Sequence, residues 1–64
     1  MGFNKNEMRK EAVRYAQSMG YEGIVVESVG NYEVHLTVMD YDYVEYGMTV
    51  DFSMGIGSPR GYLD

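Results

Sequence analysis

The sequence predicts an α+β fold: a single N-terminal helix packed on a three-stranded antiparallel β-meander, in the order αβββ. Three observations predict it. An apolar stripe recurs at helical period in the first twenty residues. Two β-rich runs flank the dipeptide Gly30-Asn31. A third run, from Val44 to Met54, alternates apolar and polar residues with period two.

The helix is expected over residues 5–19. Met8, Ala12, Tyr15, Ala16 and Met19 fall at i, i+4, i+7, i+8 and i+11, which places them on one face. Asn4 followed three residues later by Glu7 is a capping pair, with Asn6 as a rival cap. Gly20 supplies the stop, because glycine takes the left-handed geometry beyond a helix at little cost.

The runs Ile24–Val29 and Tyr32–Met39 then read as a hairpin, with Gly30 giving the positive φ that a two-residue turn needs. That turn sets Val29 opposite Tyr32, Glu27 opposite Val34, Val25 opposite Leu36 and Gly23 opposite Val38. One face would hold Val25, Val29, Tyr32, Val34, Leu36 and Val38 and take the helix stripe. The other would carry Glu22, Ile24, Val26, Ser28, Glu33, His35, Thr37 and Met39. A slip by one residue would exchange the faces.

Val44, Tyr46, Met48, Val50, Phe52 and Met54 share one face of the third strand, best defined from Met48 to Met54. Residues 40–43 either turn or prolong the second strand. Residues 1–54 are read as one domain and residues 55–64, with three Gly and a Pro, as a flexible tail pinned by Tyr62 and Leu63. The αβββ order is similar to the first part of the αβββα double-stranded-RNA-binding and small toxin-like folds. It differs from them in lacking the closing helix and in its charge.

Composition narrows the function classes. The 64 residues carry ten Asp and Glu against five Lys and Arg, a net charge of −5, with no Cys and one His. No thiolate or His-rich metal site is available, and no cofactor is expected. No apolar run approaches the roughly 20 residues of a membrane span. The segment Met1-Gly2-Phe3-Asn4-Lys5 lacks the apolar core of a signal peptide, so a cytoplasmic location is expected.

Charge is also unevenly placed. Residues 1–20 sum to +2, through Lys5, Arg9, Lys10 and Arg14, and residues 21–64 to −7. An acidic side of this kind suits a basic partner surface. Asp40, Tyr41, Asp42, Tyr43, Glu45 and Tyr46 concentrate three acids and three aromatics in seven residues. Carboxylates interleaved with tyrosines imitate phosphates interleaved with bases, and tyrosine is a favoured interface residue. These six are the first candidate binding residues.

A second set is Ile24, Val26, His35 and Met39, expected together on the sheet face away from the helix, with Arg60 in the tail. If left open, that face would pair with a partner or a second copy. Other chemistry fits poorly. An EF-hand starting at Asp40 would need Gly at its sixth position and Glu at its twelfth, where Glu45 and Asp51 stand. His35 beside Glu33 has the pieces of a general base but no nucleophile close in sequence. The stretch Gly55–Gly61 lacks the Lys-Ser/Thr ending of a phosphate loop.

The expectation is a non-enzymatic binding module that engages a basic protein surface and neither nucleic acid nor membrane directly. Its most specific form is a stoichiometric inhibitor of a nucleic-acid-handling protein. In size and charge the chain resembles the small acidic anti-CRISPR and anti-restriction proteins of phages and mobile elements. The alternatives are a homodimer or assembly protein pairing through the second sheet face, and a nucleic-acid binder using the basic helix. The last conflicts with a pI of about 4.6.

Overall fold

The structure, a computed structural model, describes residues 3–64. It is an α+β arrangement of one helix and one antiparallel sheet, in the order α1 (Lys5–Ser18), β1 (Glu22–Val29), β2 (Glu33–Met39), β3 (Glu45–Asp51) and β4 (Arg60–Leu63). Each strand pairs with its sequence neighbour, giving a sheet ordered β1-β2-β3-β4.

Local sequence accounts for both ends of α1. The Asn4 Oδ1 accepts the Glu7 N–H at 3.1 Å, which satisfies one free donor of the first turn. At the other end Gly20 sits at φ +92°. The Gly20 N–H reaches the Gln17 carbonyl at 3.0 Å and the Tyr21 N–H reaches the Ala16 carbonyl at 3.2 Å. This is the paired-bond termination that a left-handed glycine permits, and it turns Tyr21 back onto the core.

The core forms where the helix stripe lies over β1 and β2, with side chains of β3 completing it. Met8, Ala12 and Ala16 are buried against Val34, Leu36, Val38, Met48, Val50 and Phe52. The expected helix stripe is borne out at those three positions. Tyr15 is half-buried, and Met19, one residue past the helix, is exposed. β2 and β3 pair without interruption from Glu33↔Asp51 to Met39↔Glu45, so strict alternation holds on both.

β1 departs from the expected register. Its pairs are Val29↔Val34, Ser28↔His35, Val26↔Leu36, Val25↔Thr37 and Glu22↔Met39, with shifts between Val26 and Ser28 and between Glu22 and Val25. The turn has moved by one residue on each side. The Gly30 N–H bonds to the Glu33 carbonyl at 2.8 Å, leaving Asn31 and Tyr32 as the loop. Tyr32 is drawn out of the ladder: its ring packs edge-on against Phe3 at 5.7 Å, and its carbonyl accepts the Phe52 N–H. Gly30 does not take a positive φ; that conformation belongs to Gly20, Gly23 and Gly55.

The first bulge, at Glu27, reverses the facing of everything before it. Ile24 and Val26 therefore pack against the core, and Val25, expected inside, is 54% exposed. The second bulge uses Gly23 at φ +57°, a conformation that favours glycine.

The expectation of three strands and an irregular tail is corrected at residues 60–63. They form β4, paired to β3 through Asp51↔Arg60, Val50↔Gly61, Thr49↔Tyr62 and Met48↔Leu63. Two successive turns bring the chain round: the Gly55 N–H bonds to the Phe52 carbonyl at 2.8 Å and the Ser58 N–H to the Gly55 carbonyl at 3.0 Å. β4 then lies over the Tyr15 ring, which occupies the space a Cβ at Gly61 would take.

Candidate functional site

Residues 40–43 turn rather than prolong β2. The Tyr43 N–H bonds to the Asp40 carbonyl at 3.0 Å, and the Asp40 N–H bonds to the Val44 carbonyl at 3.1 Å. This closes a three-residue hairpin loop of Tyr41, Asp42 and Tyr43. The last position of such a loop is left-handed and normally filled by glycine. Here it holds Tyr43, at φ 64°. A bulky residue in that region is uncommon and costs backbone strain.

Asp40 holds the loop together. Its Oδ1 accepts the Asp42 N–H at 2.8 Å and the Val44 N–H at 3.1 Å. Its carboxylate also acts on the Tyr46 hydroxyl. Hydrogen bonding toward Asp40, and next the charge of Asp40 itself, raises the Tyr46 phenol above its usual 10.0. Burial and the neighbouring Tyr21 and Asp42 add to the same direction. Tyr46 is half-buried against the core, just beyond the end of the loop in sequence.

The six residues expected as one binding patch thus divide by role. Tyr41 and Tyr43 are 84% and 82% exposed, and Asp42 in the same loop and Glu45 at the start of β3 are exposed as well. Asp40 and Tyr46 lie beneath as the frame. Val44, missed by the sequence reading, is exposed at the same tip. The readable signal for the frame was Asp40 itself, since Asp at a turn entry bonds backbone donors two residues on.

The second candidate set is not assembled. Ile24 and Val26 face the helix layer, while His35 and Met39 stay on the outer face. His35 lies opposite Thr49, and its Nδ1 is 3.0 Å from the Thr49 Oγ1. Thr49 donates its only hydroxyl proton to the Asp64 Oδ1 at 2.8 Å, so His35 Nδ1–H is the donor to Thr49. In that tautomer the imidazole nitrogen facing the hydroxyl is not a base toward it. The chain of bonds links β2, β3 and the end of β4. Arg60, expected in a tail, stands in β4 opposite Asp51.

Alternation places Glu33, Glu45 and Asp51 on this outer face too, and Glu27 joins them by accepting the Thr37 hydroxyl at 2.8 Å. The helix carries Lys5, Arg9, Lys10 and Arg14, all exposed. Among the described residues the one ion pair is Arg14 with Glu11, at 3.2 Å on the surface, where such pairs contribute little. An open groove of about 210 Å³ runs past Glu11, Arg14, Tyr15, Ser18 and Pro59. Among the described residues, no three metal-ligating side chains converge, and no helix is long and apolar enough to cross a membrane.

In comparisons with known proteins, no family model matches the chain, and no curated protein or solved structure matches it at a significant level.

Proposed function

We propose that the protein is a non-enzymatic binding module whose β2–β3 tip engages a basic surface on a nucleic-acid-handling protein and inhibits it by occupancy. The observation that carries this reading is Tyr43, a strained, bulky residue whose ring is almost wholly in solvent. Strain of this kind is retained where a site needs the geometry. Tyr43 stays 82% exposed, so it gains little packing in return. Tyr41 and Tyr43 supply large rigid contact area, and Asp42 and Glu45 supply the charge that steers a basic partner.

Affinity capture from the native host, compared between the parent and the double variant Tyr41→Ser with Tyr43→Ser, tests it. The expected result is one basic protein captured by the parent, lost with the double variant, and displaced by that protein's own nucleic acid. A partner held equally by both forms would overturn the assignment of the tip.

A further inference from the structure

We infer that the tip is an arginine-binding site: Tyr41 and Tyr43 stack on a guanidinium group presented by the partner, and Asp42 and Glu45 accept its N–H groups. The inference rests on the reading above and names the side chain that the site recognises.

The aromatic pair comes first. Both rings are more than four-fifths exposed. Among the described residues the one close ring pair is Phe3 with Tyr32, so neither tip ring is covered by another aromatic. Open tyrosine faces attract cations through the ring quadrupole. The acids beside them differ in availability. Asp40 is spent on two backbone N–H groups. The carboxylates of Asp42 and Glu45 make no ion pair or side-chain hydrogen bond among the described residues. The loop that presents Tyr41, Asp42 and Tyr43 is already closed by its own hydrogen bonds, and Glu45 is held in the first ladder pair of β3, so little ordering remains to oppose binding.

Arginine fits this arrangement better than lysine. Its guanidinium is planar, weakly hydrated and able to stack on a ring while its edge donates to a carboxylate. A lysine ammonium is a compact, strongly hydrated charge, so it gains chiefly from the carboxylates. Two stacking contacts at an exposed site correspond to a preference of about tenfold.

The test is an NMR titration of the isotope-labelled full chain with two short peptides of equal length and charge, one built on arginine and one on lysine. The expected result is that Tyr41, Asp42, Tyr43 and Glu45 shift most and that the arginine peptide binds about tenfold tighter. Substituting Tyr41→Leu with Tyr43→Leu should abolish that preference and leave a weak, salt-sensitive interaction. Equal affinities with the shifts still at the tip would overturn the arginine inference and leave the basic-partner reading standing. Shifts confined to the outer face around Glu33, Asp51 and Asp64, or no binding of either peptide, would overturn both.

Discussion

Tyr43 and Gly20 both sit in left-handed backbone geometry, one where glycine is expected and absent, the other where it is expected and present. Releasing Tyr43 from that geometry recovers part of the roughly 1–3 kcal/mol such residues cost, less about 0.5–1 kcal/mol for glycine's extra freedom when unfolded. Tyr43→Gly should therefore stabilise the fold by about 1 kcal/mol in denaturant titration, while weakening partner capture. A destabilised variant would mean that the ring is held by contacts within the protein. Asp40 and Tyr46 give a second check. The folded protein holds the Tyr46 proton more tightly than the unfolded chain does. The stability from this interaction is present below the ordinary phenol value near 10 and is lost as pH rises through the raised one. Tyrosinate absorbance should thus show one phenol titrating later than its ordinary value, and Asp40→Asn should bring it back. An unchanged titration curve in the variant would assign the shift to something other than Asp40.

Among the elements, those governed by neighbours in sequence were legible and those settled by packing were not. The α1 stripe and both its caps follow from spacing and residue type, and the β2–β3 pairing follows from alternation. The reversal in β1 does not. A bulge at Glu27 saves Ile24 and Val26 for the core at the expense of Val25, and that compromise depends on where the helix and Tyr32 come to rest. The tip could be singled out as a cluster of acids and tyrosines, but not divided into contact and frame, because the division rests on hydrogen bonds to Asp40. β4 was hidden by Gly61, whose missing side chain reads as flexibility when its role is to admit the Tyr15 ring. Gly61→Ala should force that ring aside at a cost of about 1–3 kcal/mol, the range for overpacking. Hydrogen exchange would place the damage: β4 amides should exchange faster while those of β2 keep their protection. Uniform acceleration across the sheet would show that β4 has no independent attachment.

For the whole molecule, charge is arranged by layer. The basic residues lie mostly on the helix, and the outer sheet face and tip are acidic, within a net charge of −5. Phosphate repulsion should then prevent useful binding of duplex DNA or RNA at physiological salt. A gel shift showing tight, salt-sensitive binding would transfer the function to Lys10 and Arg14 on α1. The connectivity has a consequence in time. Every strand lies beside the one made just before it, and the loops between them are short enough that closing each costs little chain entropy. A chain emerging from the ribosome meets its pairing partners in the order of synthesis. No strand has to wait for a distant segment to find its neighbour, so the pairings that build the sheet are local in sequence and the slow search for remote partners is avoided.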